Sequence, residues 1–278
     1  MGPLWLVLAV LLCAQSPAVA QPEARLRMKH VATWGLPGLW HPQRILSVSL
    51  SPDGQHAFVA TQQGLFVKWA LASQRQETLI DHEETLVLAA AALSSNGRLA
   101  LGRSPDGGGS IEVHEPVEGR LLHTLQGPSS FLQALAFSGD GSRLAAVADA
   151  GPVLLWELTG KPRLRKLSGP KGRTLAVALS ADGSRVAAAG EGGALRVWDA
   201  RSGRLVRTLR GGSKDLLAVA LSADGRFVLS GGAEGTARLW ELRSAKQVWS
   251  QEPGAELTAV ALSPDGSRAV LSGDGVGV

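Results

Sequence analysis

Tyrosine is absent from the 278 residues, methionine occurs twice, cysteine once, and aromatic side chains make up 5%. The one cysteine, Cys13, excludes an intrachain disulfide. No stretch keeps apolar residues at a 3.6-residue period, so helices are not expected beyond the first twenty residues. A long hydrophobic run is missing too. The apolar segment Leu4 to Ala14 has eleven residues, too short to span a bilayer comfortably. Charge of one sign is not in large excess: 28 Lys and Arg against 24 Asp and Glu give +4, which by itself implies neither nucleic acid nor membrane.

Residues 1–20 carry no charged side chain, and their apolar core is followed by Ser16, Pro17 and Ala18-Val19-Ala20. That pattern predicts a secretory signal peptide cleaved between Ala20 and Gln21. Cys13 does not make a lipobox, because bulky Leu12 stands where a small residue is required. Cleavage removes the only cysteine and leaves residues 21–278, large enough to bury roughly three quarters of its unfolded surface as a single domain. The lack of Tyr and the bias to Ala, Leu, Arg and Gly suggest a GC-rich bacterial genome, and the leader then implies a periplasmic or secreted protein. A cytoplasmic protein, or one anchored through an uncleaved leader, is the alternative.

What the chain has in abundance is repetition. Ser51, Ser94, Ser138, Ser180, Ser222 and Ser263 each stand three residues before a glycine, at steps of 43, 44, 42, 42 and 41 residues, and that period means a repeat architecture. Leu175, Val177 and Leu179 alternate with small alanines as an inner strand, and Ser180-Ala181-Asp182-Gly183 is a hairpin turn. Arg185 to Ala189, Leu195 to Trp198 and Arg204 to Arg210 complete a four-stranded unit. The units lie around 45–85, 86–130, 131–173, 174–215 and 216–256, with a partial one at 257–278.

Trp69, Trp156, Trp198 and Trp240 each follow the serine by 18 residues, and Glu157, Asp199 or Glu241 follows three of them. The second copy has a two-residue insertion and His114 in the tryptophan position. On these residues the chain resembles the WD-repeat β-propellers, over roughly Lys29 to Val278. The resemblance implies an all-β fold of four-stranded antiparallel blades. Six inner strands imply six blades, and residues 28–34, whose Lys29 to Trp34 matches Arg204 to Leu209, are expected to close the incomplete last one. In the family a His before the inner strand, a Ser or Thr on the second strand, an Asp in the next turn and the Trp stiffen each blade. Here His41 fills the His position in the first copy, but Pro128, Pro170, Gly212 and Pro253 fill it later, and Gln63, Ala150, Gly192 and Glu234 take the Asp position.

The fold alone does not name a function. The favoured reading is an exported, non-enzymatic scaffold for an unidentified protein partner, monomeric, with no cofactor, no nucleic acid and no stable membrane insertion after cleavage. A second is a propeller enzyme, a lactonase, lyase or quinone-type oxidoreductase, with its site at the central channel. Such a site needs converging acids, histidines or metal ligands, and the inner strands offer Ala, Val and Leu. A third is a structural piece of a longer protein. No catalytic, cofactor-binding or metal-binding residue is assigned: the six histidines show no ligand spacing, and Gly107 to Gly109 lacks a following helix. Candidate partner contacts are Arg103 and Asp106 in the longest insertion and Arg163, Arg165 and Arg207 on charged outer strands. Those strands also suit plain protection against edge-to-edge pairing.

Overall fold

The computed structural model describes residues 45–50, 55–61, 66–73, 75–80, 88–103, 109–115, 119–212, 214–273 and 276–277. The leader, the Ala20/Gln21 cleavage point, the closing strand 28–34, His41 and Asp106 lie outside them.

Among the described residues the repeats become six antiparallel sheets. The first holds β1 (Ile45–Leu50), β2 (His56–Thr61), β3 (Phe66–Ala70) and β4 (Arg75–Ile80). The second holds β5 (Leu88–Leu93), β6 (Leu99–Arg103), β7 (Ser110–His114) and β8 (Leu121–Gln126). In the third are β9 (Leu132–Phe137), β10 (Arg143–Ala148), β11 (Val153–Glu157) and β12 (Arg163–Leu167). The fourth comprises β13 (Thr174–Leu179), β14 (Arg185–Gly190), β15 (Ala194–Asp199) and β16 (Leu205–Arg210). The fifth comprises β17 (Leu216–Leu221), β18 (Phe227–Gly232), β19 (Ala237–Glu241) and β20 (Lys246–Gln251). Three strands make the sixth: β21 (Leu257–Leu262), β22 (Ala269–Gly273) and the two-residue β23 (Val276–Gly277). Among the described residues the one helical element is a 3-10 turn at Glu191–Gly193.

Each sheet is a meander, because short turns can join only antiparallel neighbours. The turn glycines Gly97, Gly141, Gly183, Gly225 and Gly266 all have φ between 65° and 83°, where a side chain is resisted. The second strand of the fourth unit runs one residue further than its sequence suggests, to Gly190. A side chain at Gly190 would collide with the Arg173 carbonyl, so glycine lets the neighbouring backbone approach. Gly232 and Gly273 meet the carbonyls of Asp215 and Glu256 in the same way.

The first strands of successive sheets lie side by side from β1 to β21. The core is consequently divided into layers, each between one sheet and the next. Phe58 and Phe66 of sheet one stack at 5.9 Å and pack with Leu99 and Leu101 of sheet two. Ile111 and Val113 meet Leu144 and Trp156, Val147 and Leu155 meet Val186 and Trp198, Leu195 and Val197 meet Val228 and Trp240, and Leu229 meets Leu257 and Leu271. Each fully buried Leu, Val or Phe contributes roughly 1.5–3 kcal/mol. Burial fades at the end of the series: β20 is exposed throughout, and of β22 only Leu271 is buried.

Candidate functional site: turns, latches and outer strands

The recurring tryptophan fills the gap toward the preceding sheet. Trp156, Trp198 and Trp240 are buried in the layers named above, whereas Trp69, on the first sheet, is half-buried. His114, in the tryptophan position of sheet two, is buried too; its Nδ1 lies 3.0 Å from the Gly119 carbonyl and its Nε2 3.3 Å from Glu112 Oε2. Asp199, after Trp198, accepts from the Ser202 amide and hydroxyl, each at 2.8 Å, and from Arg185 Nη1 at 2.6 Å. These bonds, led by the Ser202 amide, hold its carboxyl below its ordinary pKa despite partial burial. The literal Trp-Asp pair thus seats a buried ring and closes the turn to the outer strand.

Among the described residues the serines that mark the repeats, Ser94, Ser138, Ser180, Ser222 and Ser263, are buried and structural. Ser138 Oγ donates to Asp140 Oδ1 at 2.6 Å and accepts from the Arg143 amide at 3.0 Å, which knots the turn between first and second strands. Ser180 with Asp182, Ser222 with Asp224, and Ser263 with Asp265 do the same at 2.6–2.7 Å, and Ser94 bonds Asn96. Desolvation works to raise the carboxyls of Asp140, Asp182 and Asp224, but serine hydroxyls and backbone amides outweigh it and leave them below their ordinary value. At Asp265 the Ser263 hydroxyl and the Ser267 amide and hydroxyl bring the pKa to about 2.

These turns also interlock from one sheet to the next. Asn96 Nδ2 donates to the Asp140 carbonyl at 2.7 Å and Arg98 Nη1 to that of Gly141 at 2.9 Å. Gly139 N donates to the Ala181 carbonyl, Asp182 N to that of Ala223, and Ala223 N to that of Pro264. In the fifth turn Phe227 takes the place of the arginine, and a Cβ added at Gly266 would come 2.7 Å from its ring.

A second set of arginines is invisible to the tryptophan pattern alone. Arg196, two residues before Trp198, donates from Nη1 to the Gly169 carbonyl at 2.7 Å and the Ser168 carbonyl at 3.2 Å. Arg238, two before Trp240, bonds the Gly211 carbonyl and Glu234 Oε2. In both sheets the third strand is thereby fastened to the loop that leads into the first. These arginine bonds add to apolar packing and strand pairing in stiffening the two sheets. The hydroxyl of Ser230, on the second strand of the fifth sheet, is fully buried without a partner, and Gly212 stands in the His position.

The candidate contact residues are placed as follows. Arg103 pairs with Glu112 at 3.0 Å and is half-buried. Arg165 donates from Nη2 to the Arg201 carbonyl at 3.1 Å and from Nη1 to that of Ser202 at 3.3 Å, while Arg207 Nη2 donates to the Arg243 carbonyl at 2.8 Å. Both guanidiniums reach the turn before the next sheet's outer strand. Arg163 is exposed. Among the described residues no three His, Cys, Asp or Glu side chains gather where they could hold a metal ion, and no helix is long and apolar enough to cross a membrane.

Comparison with known proteins bears on the fold. Residues 119–151, 161–199 and 203–241 match the model WD40: WD domain, G-beta repeat. Each match begins at or just before an outer strand and runs into the next sheet. Over 118 residues the chain is 28% identical to meiotic recombination protein rec14 of Schizosaccharomyces pombe, covering 42% of this chain and 38% of that one, so the match spans well under half of that relative. Among solved structures, a chain of the crystal structure of a mitotic checkpoint complex aligns with a TM-score of 0.68 at 22% identity, over 84% of this chain and 75% of that one. The chain carries WD40 repeats in three places, on an all-β fold of antiparallel four-stranded sheets resembling a WD40 propeller.

Proposed function

We propose that the protein is an exported, non-enzymatic WD-repeat scaffold that mediates protein–protein interaction. Its leader is removed between Ala20 and Gln21, and its six sheets form a ring in which residues 28–34 pair with the sixth. The observation that carries the scaffold reading is where the polar side chains go. Serines, aspartates and arginines of the turns are taken up by bonds within and between sheets, which leaves a stiff frame whose exposed turns and outer strands are free to recognise. The similar checkpoint-complex chain comes from a protein assembly, which supports the same reading.

The test is affinity capture from secreted and periplasmic fractions, with mass spectrometry of the bait termini and of the captured proteins. The expected result is a bait that starts at Gln21 and a stoichiometric protein partner. Full-length protein found only in the cytosol would remove the export part. Turnover of a lactone by the purified protein, or stoichiometric zinc or calcium in it, would overturn the non-enzymatic part.

A further inference from the structure

Outer strand β12 opens with Arg163-Leu164, and β16 opens with Leu205 directly after Arg204, so an Arg-Leu pair stands at the start of each. Leu164 stands opposite Trp156 and Leu205 opposite Trp198, so the two pairs occupy equivalent positions on adjacent sheets. Both leucines are well exposed, at 45% and 50%. The Arg165 bonds to the carbonyls of Arg201 and Ser202 hold the turn of the fourth sheet against β12. Gly203, at φ 73°, permits that approach, since a Cβ there would come 2.7 Å from Arg165 Cδ. The two Arg-Leu pairs are thus parts of one continuous surface.

Charge on this surface is not neutralised from within. Lys161, Arg163, Arg201 and Arg204 are exposed, and none of them forms an ion pair among the described residues. Glu157 stands opposite Arg163 in the ladder of β11 and β12, but the one ion pair it forms among the described residues is with Arg143, at 3.9 Å, and Asp199 bonds Arg185 and Ser202. The patch is also bounded. On sheet five the equivalent pair is Lys246-Gln247, without the aliphatic residue. On sheet two it is Arg120-Leu121, whose arginine lies 3.5 Å from Glu115.

We propose that the outer strands of sheets three and four form a docking surface for an acidic segment of a partner protein, one that places leucine-like side chains between its carboxylates. The inference rests on the scaffold reading and gives its partner a chemistry. Cations alone would suit any polyanion, but the interleaved leucines would then be left in water. Nucleic acid would call for stacking aromatics, and the patch has none. Two half-exposed leucines offer too little apolar area to hold the protein on a bilayer. Between a peptide and this surface, however, the leucines add apolar burial to charge pairing, and the cations select against basic segments.

The experiment is fluorescence anisotropy of a labelled peptide in which glutamates alternate with leucines, titrated with the full chain. Wild type binds saturably, and more weakly as salt rises. Arg163→Glu/Arg204→Glu weakens binding by about tenfold or more, the scale of one lost charge-assisted contact. Leu164→Ser/Leu205→Ser also weakens it, while Lys171→Glu, in the loop before β13, leaves it unchanged. Absence of saturable binding, equal binding by all variants, equal binding of a polyglutamate peptide, or preference for vesicles of phosphatidylserine and phosphatidylcholine in equal parts overturns the proposal. A protein partner that is captured equally by wild type and by Arg163→Glu/Arg204→Glu also overturns it while leaving the scaffold reading intact. Loss of the scaffold reading would instead show as no partner captured by either.

Discussion

Arg143 Nη1 donates to the carbonyl of Gly183 at 2.9 Å, and so ties the second strand of one sheet to the turn of the next, 40 residues along the chain. A guanidinium can make this bond because Gly183 turns back in the left-handed region and leaves its carbonyl facing the neighbouring sheet. Arg143→Ala is expected to destabilise the protein by about 1.5–3 kcal/mol, the range for hydrogen bonds to charged groups. At this size about 2–4 °C of melting temperature is lost per kcal/mol. Thermal unfolding beside Arg163→Ala, an exposed control, checks it; equal melting of the two variants would count against the latch.

Acid should loosen the same turns. Asp140, Asp182, Asp224 and Asp265 all have folded pKa values below the ordinary one, Asp265 at about 2. A carboxyl depressed in the folded state contributes stability that is present above its unfolded pKa, near 3.9, and lost as pH falls through the folded value. Denaturant midpoints are therefore expected to hold, as far as these groups go, above about pH 5 and to fall toward pH 2. Asp140→Asn/Asp182→Asn/Asp224→Asn should flatten that fall, since Asn96 already fills the position in sheet two.

The two kinds of buried serine should respond in opposite ways. Ser180→Ala removes the Oγ that donates to Asp182 and accepts from the Arg185 amide, and is expected to cost about 1–3 kcal/mol. Ser230→Ala removes a hydroxyl with no partner, so its effect should lie within about 0.5 kcal/mol of zero or be stabilising. Urea unfolding of both variants measures the difference.

Trp198 is 2% exposed between sheets three and four. Trp198→Ala is expected to cost about 3–5 kcal/mol through the cavity it leaves, and Trp198→Phe less. A Trp198→Ala protein that melted with wild type would show that the layers do not need their largest side chain.

For ring closure, deletion of residues 21–34 should lower the melting temperature, and amide exchange should be fastest in 257–278 and 28–34. The described part of the sixth sheet supports the second expectation: β23 has two residues, and Ala259, Ala261 and Ala269 are exposed. Uniform exchange across all sheets, or an unchanged melting temperature after the deletion, would remove the six-sheet closure.

The sequence by itself determined the local chemistry: the turns, because Ser, Asp and Gly must sit at fixed offsets to close a hairpin, and the strand count per unit, because apolar residues alternate between such turns. It also placed the tryptophans at one spacing, and Trp156, Trp198 and Trp240 are buried there while Trp69 is half-buried. What it left open were the partners of the arginines. Arg196 bonds a carbonyl 27 residues back, and Arg165 one 36 residues ahead, and no spacing rule announces either. Read along the chain, Arg163, Arg165 and Arg207 are alike: three cations on outer strands. Only the packing of sheet against sheet separates them, because a guanidinium within reach of the next turn's carbonyl becomes a latch, while Arg163, exposed opposite Glu157 and in no ion pair among the described residues, keeps its charge for the solvent or a partner.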